Sequence, residues 1–358
     1  FTLNINKIDG EVKFNINQQG QLIITPTNQD VEHNLILSIT INDEELIFET
    51  SGNNLVSDNL TLNYEYIDGQ YFVDLLDNKF EPIIPSFVDE TNFSVKVKFV
   101  PIESTTSVDS SFSDEKVVQI ETATILGRFN QNLTIKINEV TDNYQNFSLI
   151  VNDSVVIELD SSAIVDSENG YILVDVGYIY SFLDDANGVL KINAITKNVN
   201  STSESLRLSK KGESAYISRA NQLTLTSVKD NNSTNNSVII SFNIDQEEYD
   251  KTYLISIFNL LGAEKTNEIT IQFSNDDAMD GVISFNLDDI SINGKIFVSV
   301  TTLTTGDKIE EDNTILMFNS LESERLEINK IDAVTNIYVS NGILHFDAVE
   351  NAIGYEIY

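Results

Sequence analysis

The chain has 358 residues, 41% of them hydrophobic, enough to build a core in each of two or three domains. Its 56 Asp and Glu against 21 Lys and Arg leave a net charge of -35, a field that repels nucleic-acid phosphates and anionic membrane surfaces and favours divalent cations and basic partners. With no cysteine there are no disulfides, thiolate metal sites or thiol nucleophiles, and no run of about 18 apolar residues offers a bilayer span.

Period-two alternation dominates the chain, with Ile, Val, Thr, Tyr and Phe crowding the alternating runs, so an all-β chain is expected. Strands are predicted at 20–27, 34–43, 45–50, 70–76, 92–100 and 116–120, with the polar run 104–115 as a loop and Asn42-Asp43 as a turn. The order then repeats in different letters. Strands at 133–137, 147–153 and 171–176 follow, and Val151-Asn152-Asp153 matches Ile41-Asn42-Asp43. LDDANGVLKINAIT (183–196) parallels LDDISINGKIFVSVTTL (287–303), two copies that agree even in their Asn-Gly pair. Further strands are predicted at 237–244, 252–259, 268–273, 281–287, 295–300 and 314–318.

The final stretch fixes the periodicity. LEINKID at 326–332 differs from LNINKID at 3–9 in one letter, and Gly342-Ile343-Leu344 lies over Gly20-Gln21-Leu22. Such echoes mark tandem repeats. Modules are therefore expected at 1–120, 121–211 and 212–325, with a fourth, truncated module opening at 326–358. Each holds seven or so short strands in about 100 residues, which fits an immunoglobulin-like β-sandwich. The chain reads as a piece of a longer protein.

Leu344-His345-Phe346 followed by Val349 to Ile357, with its Asn-Ala-x-Gly-Tyr, resembles the opening of a bacterial fibronectin type III module, Phe346 standing where that family usually has tryptophan. The strands Phe93 to Val100 and Lys295 to Val300 are similar to the family's sixth strand, which often carries tyrosine where Phe93 sits. The resemblance implies tandem fibronectin type III-like modules in series on an extracellular bacterial surface protein, as spacers, adhesive segments or accessory domains of surface enzymes.

Reaction chemistry finds little footing. The histidines, His33 in a polar turn and His345 on the outer face of its strand, are expected to be ordinary surface residues. G-x-S-x-G and H-E-x-x-H are absent. Carboxylate pairs for glycoside hydrolysis abound among 56 acids, but a repeated module rarely leaves a deep cleft. No catalytic residue is assigned, and the chain is not expected to be an enzyme. Calcium is the one cofactor with a candidate place, at Asp276, Asp277 and Asp280, where acids alternate before Gly281; Ala278 and Leu287 occupy ligand positions, so it is no EF-hand, and a solvated turn is the plainer reading. The paired acids Asp184-Asp185 and Asp288-Asp289 recur at one module position. The polar loops 104–115, 196–205 and 304–312 lie where the family's adhesive loop lies, yet only Phe112 offers an aromatic anchor. Lys136 and Lys191, inside strands, are candidates for a Lys–Asn crosslink.

The expectation is therefore a non-catalytic stalk or adhesive array at the bacterial cell surface, meeting a protein or glycan there, or itself, and neither nucleic acid nor the membrane interior. A self-assembling surface-layer or filament subunit and accessory modules of a secreted glycan-processing enzyme are the alternatives.

Overall fold

The computed structural model describes residues 6–7, 12–27, 33–88, 90–102, 107–136, 147–160, 162–168, 171–183, 188–196, 206–229, 237–243, 248–278, 281–286, 289–292, 294–330, 334–349, 354–355 and 357. The chain is all-β. It divides into two compact units, residues 1–184 with 190–215 and residues 185–189 with 216–358.

In the first unit, module one comprises β1 (Asn6–Lys7), β2 (Val12–Ile16), β3 (Gln21–Pro26), β4 (His33–Ile41), β5 (Glu44–Ser51), β6 (Asn54–Ser57), β7 (Leu60–Ile67), β8 (Gln70–Asp74), β9 (Asn92–Pro101), β10 (Ser107–Val108) and β11 (Lys116–Thr122). The strands run in one continuous order, β11-β9-β4-β5-β6-β7-β8-β3-β2, in which β6 and β7 link β5 to β8; its two ends, β2-β3-β8 and β11-β9-β4-β5, correspond to the A-B-E and G-F-C-C′ sheets of the immunoglobulin-like plan. Alternation decides which residues turn inward. Leu22 and Ile24 of β3 and Tyr71 and Val73 of β8 join Leu35, Leu37 and Ile39 of β4 and Phe93, Val95, Val97 and Phe99 of β9 in one buried cluster. Asn42 and Asp43 take φ 48° and 64° in the β4–β5 hairpin, and Asn152 and Asp153 take 49° and 56° in its counterpart. These are left-handed turn positions that Asn and Asp tolerate well, so the matched triplets are the same hairpin.

Module two follows with β12 (Thr124–Phe129), β13 (Asn132–Lys136), β14 (Phe147–Val151), β15 (Val155–Leu159), β16 (Ile164–Glu168), β17 (Tyr171–Asp175), helix α1 (Val176–Ser181), β18 (Leu190–Thr196) and β19 (Leu206–Lys210). Its sheets run β12-β13-β17-β16 and β15-β14-β18. Asp175 caps α1, its carboxylate accepting from Gly177 N at 2.9 Å.

The second unit holds β20 (Ala215–Arg219), β21 (Leu225–Lys229), β22 (Ser237–Phe242), β23 (Lys251–Leu261), β24 (Glu264–Ser274), β25 (Val282–Asn286), β26 (Gly294–Thr304), β27 (Lys308–Glu310), β28 (Asn313–Phe318), β29 (Leu326–Lys330), β30 (Tyr338–Ser340) and β31 (Ile343–His345). Module three again has two sheets, β21-β22-β25 and β24-β23-β26-β29, packed over Ile240, Phe242, Tyr253, Ile255, Ile257, Ile296, Val298 and Val300.

Three expectations need correction. The boundary at 326 cuts a strand belonging to module three: Leu326 to Lys330 pair antiparallel with Val298 to Gly294, so LEINKID closes a module instead of opening one. The boundary at 121 falls inside β11, and that at 212 falls on a residue bonded back into module two, Gly212 N donating to Ala194 O at 3.0 Å. The run 304–312 is not a plain loop, because β27 lies in it and pairs with β28. Gly20 and Gly342 both adopt positive φ at the tip of an antiparallel pair, β2–β3 and β30–β31.

Candidate functional site

What recurs in this chain is a construction between the sixth and last strand of each module. In module three the chain leaves β26, forms the β27–β28 hairpin, and lays β28 in parallel along β20, with Tyr216 opposite Ile315 and Arg219 opposite Phe318. It returns along residues 319–325 to pair as β29 with β26. In module two the chain leaves β18 and lays β19 in parallel along β11 of module one, Val118 opposite Leu206 through Thr122 opposite Lys210. Module one does likewise: after β9, Ser107 and Val108 lie parallel to Asn6 and Lys7. Each time an F–G strand is grafted in parallel along an entry strand, β1, β11 or β20; β1 and β29, the last strand of module three, carry the near-identical LNINKID and LEINKID.

A serine clasp follows the grafts of modules one and three. Ser110 and Ser113 donate their N–H groups to Phe99 O at 3.0 Å and Val97 O at 2.7 Å, while their hydroxyls accept from Phe99 N at 2.9 Å and Val97 N at 3.0 Å. Ser320 and Ser323 repeat this on Thr302 and Val300, accepting at 2.9 and 3.0 Å. All four hydroxyls then donate to the carbonyl of the next residue. Each hydroxyl thus replaces a missing ladder partner for the sixth strand, so the chain changes sheet without leaving buried backbone groups unpaired. In module two the spacing is Ser209-x-x-Gly212; Ser209 Oγ lies 2.5 Å from Thr196 Oγ1, and Gly212 stands where the others have serine. A Cβ on Gly212 would sit 2.0 Å from Ala123 O, so no side chain fits.

The β11–β19 graft is also fixed by packing and charge. Leu206 and Leu208 are 1% and 0% exposed and belong to the module-one core beside Val118 and Ile120. Arg207 pairs with Glu121 at 2.8 Å, and Lys210 Nζ donates to the carbonyls of Phe87 and Val88. Lys211, its side chain 8% exposed, donates its N–H to Phe80 O and bridges Glu81 of module one at 2.8 Å and Asp153 of module two at 3.2 Å. Burial alone draws the Lys211 ammonium down, but the two carboxylates outweigh it and hold its pKa above the usual lysine value. Hydrogen bonds from Lys191 and then Lys211 hold the Asp153 carboxyl below the ordinary range. Beside these lysines lies a cleft of about 640 Å³ lined by Glu81, Thr122, Lys210, Lys211 and Glu213.

The predicted site residues are scattered. His33 starts β4 and is a core residue, not a surface one: it is 8% exposed, its ring lies 4.6 Å from Phe99 and 5.7 Å from Tyr71, and its carbonyl accepts from Tyr71 Oη at 2.8 Å. A polar flank disguised a strand-end position that points inward. His345 stacks on Tyr338 at 4.8 Å. Phe93, at the tyrosine place of the resembled family, stacks on Phe87 at 4.2 Å, and Phe346 meets Tyr355, whose hydroxyl accepts from Val349 N. Asp277 accepts from Ser274 Oγ at 2.6 Å and closes a turn over buried Ala278, next to Asp276; Asp280 lies outside the described residues, as do Asp184, Asp185, Asp288 and Leu287. Among the described residues no three His, Cys, Asp or Glu side chains are placed to hold a metal. Lys191 pairs with Asp153 at 2.9 Å rather than with an asparagine, and Lys136 is exposed at the end of β13. Of the loop 104–115, residues 107–115 form the graft and clasp; 197–205 lie outside the described residues.

No family model matches the sequence, and no curated protein does. Among solved structures, the chain is similar to the crystal structure of the chicken CNTN1 FN1-FN3 domains, at 12% identity and a TM-score of 0.23, over 90% of this chain and 99% of that one.

Proposed function

We propose that the chain is a non-catalytic structural and interaction segment, a stalk or adhesive array, of an extracellular bacterial surface protein. The observation that carries the reading is the repeated graft. At β11–β19 a strand of module two completes the sheet edge of module one, which couples the two neighbours through backbone hydrogen bonds and a shared core. Such a joint resists bending and separation better than a short linker, as a segment that positions something at a distance needs. The dense negative charge supports the reading too, since it keeps neighbouring copies apart and soluble.

Single-molecule pulling of the intact chain tests it. Modules one and two are expected to rupture as one event, and the Leu206→Ala/Leu208→Ala double variant to rupture in two. Separate events in the unaltered chain would count against the mechanical role. Light scattering at micromolar protein, with and without calcium, separates the reading from a calcium-driven surface layer: a monomer is expected under both conditions.

A further inference from the structure

Module three lacks a piece that module one has. In module one β6 and β7 follow β5, and β6 pairs along it, Glu49 opposite Val56 through Ser51 opposite Asn54, while Phe48 of β5 is fully buried. In module three the chain passes from β24 to β25 through residues 275–281 alone, and among the described residues β24 pairs only with β23. Its inward side chains, Ile269, Ile271 and Phe273, pack against the core yet stay half-buried, so the core is open along this rim. The first half of β24 is guarded by Glu264, Lys265 and Glu268, and by a bulge at Asn267, φ 50°, where the register against β23 shifts. The second half, ITIQFS at 269–274, runs in regular register with no charge, proline or glycine, the composition that pairs most readily when left on an edge. We propose that β24 is a self-pairing edge, and that the strand it takes is β24 of a second copy of this chain, antiparallel, joining two four-stranded sheets into one. The choice of occupant rests on complementarity. Inward residues must meet inward residues, and a two-fold axis at Ile271 places Ile271 opposite itself, Ile269 opposite Phe273 and Thr270 opposite Gln272. Each copy then covers the half-buried apolar row of the other, and no charge in this stretch faces a like charge. The contact is isologous and closes at a dimer. Copies with a charge of -35 repel each other, so the dimer is absent from micromolar protein in dilute buffer and builds with salt and concentration.

The chain lacks cysteine, so covalent capture reads the contact directly. Opposed residues of antiparallel strands lie about 4.5–5.5 Å apart at Cα, inside the span a disulfide bridges. Thr270 and Gln272 are both exposed, so neither substitution disturbs the core. Thr270→Cys and Gln272→Cys chains, mixed and oxidised at about 0.1 mM protein and about 0.5 M salt, are expected to give a covalent dimer, with several-fold less at about 0.05 M salt. Glu264→Cys mixed with Gln272→Cys, well out of register, should capture at least about tenfold less. Sedimentation equilibrium of the unaltered chain in the high-salt buffer should show the average mass rising towards the dimer with concentration. The Thr270→Glu/Gln272→Glu variant, which sets carboxylate opposite carboxylate, should stay monomeric there, with a circular dichroism spectrum matching the unaltered chain. No captured dimer, equal capture by the out-of-register pair, or a dimer that survives the double glutamate variant overturns the proposal. The pulling experiment reads modules one and two, so failure here leaves the mechanical reading standing.

Discussion

Leu208 is the sharpest test of the graft, because it belongs to module two by sequence and to module one by packing. It is fully buried, and its Cδ1 lies 3.5 Å from where a Cβ on Gly20 would stand, beside Leu76. Truncation to alanine removes three buried carbon atoms and leaves a void that a sheet sandwiched between two ladders cannot readily close, which places the cost at about 2–5 kcal/mol. At about 1.4 kcal/mol per tenfold, protection of module-one amides should fall by roughly 30- to 5,000-fold. Hydrogen-exchange mass spectrometry reads this peptide by peptide. The losses should appear in β3, β4, β9 and β11, more than 80 residues away in sequence, while Leu133→Ala in the module-two core should act first on β12 to β18. If Leu208→Ala loosened only β13 to β18 and left β3, β4, β9 and β11 untouched, the shared core would be refuted.

The clasps predict an asymmetry between modules: Ser323→Ala leaves Val300 N without its acceptor and should cost about 1–3 kcal/mol by urea denaturation, whereas Gly212→Ser, which installs the residue the other clasps use, should cost about 3 kcal/mol because its Cβ meets Ala123 O. A pH series should single out Asp153. Its folded pKa is depressed, so its stabilisation is present above the unfolded value of about 3.9 and is lost as pH falls through the folded value; Asp153→Asn, which keeps a residue suited to positive φ, should flatten the fall in urea midpoint between about pH 4 and pH 2. Millimolar calcium should leave the melting temperature unchanged within about 1 °C, since Asp277 is engaged by Ser274 and no described trio of ligands stands ready; a rise of several degrees, abolished by Asp276→Asn, would reinstate the 276–281 turn as a site.

Alternation made the sandwich legible, because inward residues of a two-sheet fold must repeat every second position, and the runs 34–43, 92–100 and 295–300 sit within a few residues of β4, β9 and β26. Matched Asn-Asp pairs located a hairpin because left-handed turn positions restrict the residue types that fit. The grafts were not legible. LRLSK alternates well enough to be a strand, but pairing across roughly 90 residues leaves no local trace, and the polar run before it made it look like a loop end. Ser110-x-x-Ser113 and Ser320-x-x-Ser323 share their spacing at an offset of 210, a signal that was present yet hidden among many serines. Strands such as β6, β7 and β15 escaped because few of their residues are buried, which leaves little alternation to read.

A tandem array of open sandwiches faces a difficulty that these grafts address. Every last strand is a sheet edge, a row of unpaired N–H and C=O groups that invites pairing with any other chain, and a series of modules multiplies such edges. Charge alone protects poorly at high salt, where the Debye length shrinks to about 3 Å. Covering the β11 edge with β19 of the following module removes the invitation there and at the same moment ties the two neighbours together, so one device serves both solubility and coupling. The cost falls on the donor, whose sixth strand loses ladder partners where the connection departs, and the serine hydroxyls make good that loss within the same turn of chain. It follows that a clasp variant should weaken the donor module while a graft variant weakens the acceptor: Ser113→Ala should loosen β9, and Leu206→Ala should loosen β11 from module two's side, effects that stay apart if each module's own sandwich is intact.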